Sequence, residues 1–242
     1  MRKTIVTIAA LCLFAMVTLA QKTIRVAAGK TDLVMQVSPK GRLYQVYLGE
    51  KLQNATDYDQ LKWDVYAASD GAVCQRGHEV CATSGAEDFF EPALAITHAD
   101  GNMSTYLYFQ GVEQKPVEGG AETIITLADK EYPVTVKLHY VAYPKQSVIK
   151  AWSEVTHKEK APITLWRYAS TMLYFKSAKY FVTTYHSDWA KEGQPETTQL
   201  ISGKKIVDTK LGTRAAMQEE PFFELGFDAP ARENEGRVML GT

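Results

Sequence analysis

The sequence lacks a surplus of charge of either sign. Its 242 residues contain 27 lysines and arginines against 28 aspartates and glutamates, which gives a formal net charge of −1. No segment gathers a run of like charges. Because proteins that bind nucleic acid carry a basic patch that neutralises phosphates, we do not expect nucleic acid as a partner.

Long apolar runs are confined to the first twenty residues. Basic residues at positions 2 and 3 precede the apolar run Ile5–Leu19, and Ala20 fits the small residue of a cleavage site. A helix that spans a membrane needs roughly 20 apolar residues, and this run is shorter. We therefore predict that residues 1–20 are a cleaved signal peptide rather than a membrane anchor. The mature protein is expected to be exported, to the periplasm or outside the cell, and to be free of the membrane.

Cysteine is scarce, and Cys12 would leave with the signal peptide. Cys74 and Cys81 remain, with six residues between them. In an oxidising compartment such a pair is typical of a disulfide, and we predict one here. Zinc binding is the alternative, but His78 does not complete a set of four ligands. The other histidines are scattered and no glycine-rich phosphate loop is present, so we expect neither a metal nor a cofactor.

Long stretches with helical periodicity are also missing, and beyond residue 21 apolar residues recur with period two, as half-buried antiparallel strands require. In Thr135–Tyr140 the apolar positions 136, 138 and 140 share one face. The other predicted strands are Thr23–Ala28, Asp32–Val37, Leu43–Leu48, Ala93–His98, Thr105–Phe109, Glu122–Leu127, Ser147–Val155, Ile163–Phe175, Tyr180–Thr184, Lys205–Thr209, Phe222–Phe227 and Arg237–Leu240.

About a dozen such strands in one chain predict an all-β fold, a large antiparallel two-sheet β-sandwich. No linker or repeat divides residues 21–242, so we interpret them as one domain. The sequence stops at Thr242 inside a run that is typical of a strand. Because an unfinished strand leaves its hydrogen-bonding groups unpaired, we expect this chain to be the front part of a longer protein.

Several motifs occur in an order that resembles the N-terminal region of glycoside hydrolase family 36, the bacterial α-galactosidases. The motifs are Asp88–Ala93, similar to a "DFRxPA" strand; Thr97–Asn102, the hairpin after it; Tyr132–Tyr143, similar to an "L-x-Y-x-x-Y" strand; His186–Glu192, similar to "G-x-W-x-R-E"; Gly212–Phe222, in the place of "RRG-x-SSH-x-x-NPF"; and Glu233–Gly236, similar to the start of "E-x-x-G-E-V". The chain departs from the family at Lys191, which replaces arginine, and it lacks the SSH triplet.

The resemblance implies a β-supersandwich, similar to galactose mutarotase, that precedes a catalytic (β/α)8 barrel with two aspartates. Those aspartates would act as nucleophile and acid/base in a retaining mechanism. We therefore expect no catalytic residue in this chain. The close carboxylate pairs Asp57 with Asp59, Glu87 with Asp88, Glu219 with Glu220 and Glu233 with Glu235 are interpreted as solvated loop residues.

Two segments are candidates for substrate binding. In the segment Tyr185–Glu192, Trp189 could stack on the apolar face of a sugar, with carboxylates for the hydroxyl groups; its alternative role is a packing anchor at the edge of the domain. In the loop Asn54–Asp64, Asp59 and Trp63 are candidates, because the resemblance implies a loop that reaches the galactose site of a neighbouring subunit. We interpret Trp152 and Trp166 as core residues.

Together these observations predict the N-terminal domain of an exported α-galactosidase. This domain would support the rim of the active site and the formation of a homo-oligomer. Its expected partners are a galactoside oligosaccharide and the downstream barrel of the same chain. The alternative is a free-standing carbohydrate-binding or structural β-sandwich with no catalytic activity.

Overall fold

The structure is a computed structural model that describes residues 22–62, 78–85, 91–208 and 218–242. The predicted signal peptide, Trp63, Cys74 and the pair Glu87 and Asp88 lie outside these ranges. Backbone packing divides the chain into two compact units, one up to Tyr174 and one from Phe175 to Thr242.

The first unit contains three antiparallel sheets in its described residues, with strand orders β1-β2-β3, β4-β9 and β5-β6-β7-β8. The strands are β1 Thr23–Ala28, β2 Thr31–Val37, β3 Leu43–Glu50, β4 Leu94–Thr97, β5 Tyr108–Val117, β6 Gly120–Ala128, β7 Val134–Tyr143, β8 Val148–His157 and β9 Thr164–Tyr168. A short helix, α1 Asp57–Gln60, follows β3.

The core of the first unit follows from the alternation of apolar residues. Ile125 and Leu127 of β6 pair with Leu138 and Val136 of β7, which places all four side chains on one face of the sheet. All four are at most 3% exposed, and they belong to one cluster with apolar residues of β1, β2, β3 and β4. The strands of different sheets thus bury a common core, the arrangement of a β-sandwich.

Cys81 also belongs to this core. It is 6% exposed, and burial raises the pKa of its thiol to about 12. Because Cys74 lies outside the described residues, the disulfide between them stays a prediction.

The second unit contains one four-stranded antiparallel sheet of order β11-β10-β12-β13. Its strands are β10 Tyr180–Asp188, β11 Lys191–Leu200, β12 Glu219–Phe227 and β13 Val238–Gly241. Val182 and Leu225 are its buried apolar residues in the described part, and Phe227 contacts the rings of Phe175 and Tyr180. The tips of its hairpins remain exposed.

The all-β antiparallel prediction is confirmed. The differences are local: β11 lies in a segment where no strand was predicted, and β5 spans Tyr108–Val117 rather than Thr105–Phe109. In addition, β9 ends at Tyr168 rather than Phe175, and residues 205–208 form no strand. None of the helices formed by the described residues has the length and apolarity needed to cross a membrane.

Candidate functional site

The β10–β11 hairpin presents the segment Tyr185–Glu192 at its tip. Asp188 pairs with Lys191, so that Trp189 and Ala190 form a two-residue turn. Ala190 has a φ of 57°, a left-handed conformation that non-glycine residues seldom adopt. The carboxylate of Asp188 accepts a 2.7 Å hydrogen bond from the backbone N–H of Trp189, which fixes the start of the turn.

The first half of this segment is held by the sheet. The ring of Tyr185 stacks on Phe222 with 4.7 Å between centroids, and its hydroxyl donates a 2.6 Å hydrogen bond to Glu224. This hydrogen bond, together with partial burial, raises the pKa of Tyr185 to about 12. Tyr185 is therefore occupied by structural contacts and does not offer a sugar-binding face.

His186 is occupied in the same way. Its Nε2 lies 2.8 Å from Glu196 and its Nδ1 lies 3.1 Å from Glu219. The ring of His186 thus lies between carboxylates of β11 and β12 and links these two strands across β10.

Ser187 links the tip of the hairpin to the neighbouring strand β12 through hydrogen bonds. It is 9% exposed, its hydroxyl donates a 2.7 Å hydrogen bond to Glu220, and it accepts one of 3.0 Å from the N–H of Gly193. Glu219 and Glu220 were predicted to be solvated loop residues. That prediction is wrong for both, because they lie half-buried on β12 and bond His186 and Ser187.

Trp189 is the free aromatic group at the tip. Its side chain is 86% exposed, and no ring contact or side-chain hydrogen bond of its indole is found among the described residues. A hairpin tip is convex, whereas sugar sites are concave and enclose most of the ligand. Trp189 can therefore contribute to a site only when a second surface faces it.

The acidic loop, which we define as residues 51–62, carries the second candidate. Asp59 lies on α1 and is exposed, and its carboxylate makes no hydrogen bond or ion pair within the described ranges. Asp57, by contrast, accepts a 3.2 Å hydrogen bond from the side-chain amide of Asn54. Trp63 lies outside the described residues, so its position relative to Asp59 stays a prediction.

A buried histidine network in the first unit was not predicted from the sequence. Nδ1 of His98 lies 2.8 Å from Glu159 and Nε2 lies 2.9 Å from the hydroxyl of Thr105, and Tyr132 stacks on the ring at 3.6 Å. The order of carboxylate, imidazole and hydroxyl is that of a nucleophilic triad. However, Thr105 has no exposed surface and His98 is 2% exposed, so no substrate can reach the hydroxyl and the network is structural.

Trp166 was predicted to be a core residue, and this prediction is wrong, because the residue is 67% exposed. It lies on β9, which pairs with β4 through a register shift, and its indole N–H donates a 2.7 Å hydrogen bond to Thr97. Leu165 and Tyr168 of the same strand are about half exposed. Trp152 is half-buried and stacks on His139.

The remaining carboxylates do not form a catalytic pair in the described residues. Glu233 and Glu235 are exposed, and Glu235 pairs with Arg232. No group of three His, Cys, Asp or Glu side chains is arranged to hold a metal ion in the part of the chain that the structure describes. The described residues therefore form an all-β module that exposes two candidate groups, the carboxylate of Asp59 on α1 and the indole of Trp189 in the β10–β11 turn.

Comparison with known proteins identifies the family of this module. Residues 41–242 match the model of the glycosyl hydrolase family 36 N-terminal domain. The chain belongs to this family.

One curated relative is the α-galactosidase AgaA of Geobacillus stearothermophilus, which is 26% identical over 239 residues, or 90% of this chain and 32% of the relative. A crystal structure of a variant of AgaA with 1-deoxygalactonojirimycin has a TM-score of 0.77 at 23% identity and covers 90% of this chain and 33% of that chain. Another variant of AgaA with raffinose has a TM-score of 0.76, with the same identity and coverage. The chain thus spans about a third of the length of these relatives.

Proposed function

We propose that the protein containing this chain is an exported, retaining α-galactosidase that releases terminal α-galactosyl residues from oligosaccharides. The observation that carries the proposal is the family match over residues 41–242, together with a curated α-galactosidase that aligns with 90% of the chain. The signal-peptide pattern of residues 1–20 supports export. In this proposal the catalytic aspartates lie on a barrel that follows this chain.

Within that enzyme, this chain supports the rim of the active site. Asp59 is suited to the role, because an ionised carboxylate accepts strong hydrogen bonds from sugar hydroxyl groups and the carboxylate of Asp59 has no other partner among the described residues. Trp189 is suited to stack on the apolar face of a sugar or on another part of the enzyme. Trp63 follows the acidic loop in sequence and would act beside Asp59.

The proposal includes a homo-oligomer and contact with the barrel. Exposed apolar side chains support such contacts: Trp189 at the hairpin tip, and Leu165, Trp166 and Tyr168 on β9. Large aromatic side chains are enriched at protein–protein interfaces. In this proposal these side chains are covered in the full-length protein.

The released anomer tests the proposed reaction. The full-length protein is incubated with p-nitrophenyl α-galactoside, and the product is followed by NMR spectroscopy before mutarotation equilibrates it. We expect α-galactose to appear first, since a retaining mechanism inverts the anomeric carbon twice. Release of β-galactose first would contradict retention, and absence of any cleavage would contradict the proposed activity.

A further inference from the structure

An ionic cluster of Asp32, Tyr58 and Arg25 lies beneath the acidic loop; Asp32 and Tyr58 are buried, and the side chain of Arg25 is 37% exposed. Tyr58 is 9% exposed, and the guanidinium of Arg25 lies 4.3 Å from the centre of its ring. Its hydroxyl donates a hydrogen bond to the carboxylate of Asp32 and accepts one of 3.0 Å from the backbone N–H of Leu52. Tyr58 therefore connects strands β1 and β2, through Arg25 and Asp32, to the first residues of the loop.

Burial of this cluster costs free energy, because two of its polar atoms lose water without gaining a hydrogen-bond partner among the described residues. Asp32 has no exposed surface, and only its Oδ2 is paired, with Tyr58 and with Arg25 Nη2 at 2.9 Å. Oδ1 of Asp32 and Nε of Arg25 are buried without a hydrogen-bond partner among the described residues. Because the side chain of Arg25 is 37% exposed and two polar atoms of the pair have no partner among the described residues, the ion pair is a weak source of stability.

What the cluster does is fix the backbone around Asp59. Tyr58 holds the loop from within, and the side-chain amide of Gln36 donates a 2.7 Å hydrogen bond to the carbonyl of Leu61 on the other side. Asp59 follows Tyr58 directly and is exposed, whereas Tyr58 is buried. The loop is thus anchored on both sides of a carboxylate that is left free.

Tyr58 also keeps its proton in this setting. Desolvation and the hydrogen bond to Asp32 raise the pKa of its hydroxyl. It therefore remains a hydrogen-bond donor to Asp32 at neutral pH.

We propose that Tyr58, together with Asp32 and Arg25, is a positioning unit that holds the carboxylate of Asp59 where it binds the galactoside. This inference rests on the proposed function. It assigns no chemistry to the three residues, because they act on the substrate only through Asp59. Loss of the Tyr58 hydroxyl should weaken substrate binding and leave the chemical step unchanged.

The test uses Tyr58→Phe in the full-length enzyme, which keeps the ring under Arg25 and removes only the hydroxyl. We expect KM for p-nitrophenyl α-galactoside to rise about three- to tenfold with kcat unchanged, the range for one lost hydrogen bond. Asp59→Asn should raise KM to a similar extent. The KM of the double variant should be only slightly higher than that of either single variant, because both changes remove the same interaction with the substrate. Amide hydrogen exchange should become faster at residues 52–61 in Tyr58→Phe.

Tyr106→Phe is the matched control, because it removes a hydroxyl that donates a 2.8 Å hydrogen bond to the carbonyl of Gly85 elsewhere in the same unit. It should leave KM unchanged. If Tyr58→Phe does not fold, Arg25→Lys gives a second route to loosen the cluster, with the same expected rise in KM.

The outcomes separate the two proposals. A raised KM in Asp59→Asn with a wild-type KM in Tyr58→Phe would overturn the positioning unit and leave the role of Asp59 intact. A wild-type KM in Asp59→Asn would overturn the role of Asp59 itself, and the positioning unit with it. A fall in kcat and melting temperature of Tyr58→Phe at constant KM would assign the cluster a structural role and overturn the inference.

Discussion

If the proposed function holds, replacing Trp189 by alanine should have very different effects in this chain and in the proposed full-length enzyme. Because 86% of the side chain is exposed, truncation removes only about 30–40 Å² of buried surface. At about 25 cal/mol per Å², the free energy of unfolding of the 242-residue chain should fall by less than about 1 kcal/mol.

In the proposed full-length enzyme the same substitution should cause a larger loss of free energy, either of unfolding or of substrate binding. If a facing surface covers the indole, the lost contact falls in the range of about 2–4 kcal/mol that is typical of buried tryptophans at interfaces. A contact with the substrate would raise KM more than tenfold, since about 1.4 kcal/mol corresponds to a factor of ten. A contact with another part of the protein would lower the melting temperature by several degrees instead.

The assay compares urea unfolding of both proteins, with and without the substitution, and adds KM and kcat for the full-length pair. The turn itself should survive, because its left-handed residue is Ala190 rather than Trp189. Equal and small effects in both proteins would refute the reasoning that Trp189 meets a second surface. An effect above about 2 kcal/mol in the 242-residue chain would contradict the exposure of the indole.

Two further predictions concern stability and oxidation. The hydrogen bond from His139, followed by that from Lys115, holds the pKa of Glu122 below 4.5, so its contribution to stability is present above that pH and is lost as the pH falls through the lowered pKa. Urea unfolding from about pH 3 to 7 should show a lower free energy of unfolding for Glu122→Gln than for the wild type at neutral pH. On acidification the free energy of unfolding should fall less in Glu122→Gln than in the wild type. Parallel plots of this free energy against pH for the two proteins would contradict the prediction. The predicted disulfide is tested by thiol titration of the protein recovered from the periplasm or the medium and unfolded in denaturant without reductant. No free thiol should be found, and two thiols per chain would rule out the bond between Cys74 and Cys81.

The core could be predicted from the sequence because it depends on local alternation. Val136, Leu138 and Tyr140 recur with period two and are all buried. Strand β11 was missed because Lys191–Leu200 is polar on both faces and contains Pro195, and it forms an edge of its sheet where such residues are tolerated. Trp166 was misplaced for a related reason, since a strand pattern does not indicate whether a second layer covers the strand.

The candidate sites were predictable only in part. The sequence indicated Trp189 and Asp59 as exposed polar or aromatic groups in loops, and both are exposed. It could not indicate the partners of Tyr185, His186 or Tyr58, because those lie 10 to 39 residues away in the chain. Such contacts depend on strand register across the whole sheet.

The most direct test of the account is the rate of galactose release from p-nitrophenyl α-galactoside by two purified proteins, the 242-residue chain and the full-length enzyme, at equal concentration. The account predicts steady hydrolysis by the full-length enzyme and a rate equal to the buffer background for the chain alone. Hydrolysis by the chain alone would mean that its own side chains catalyse the reaction, and an inactive full-length protein would mean that this module serves a different function.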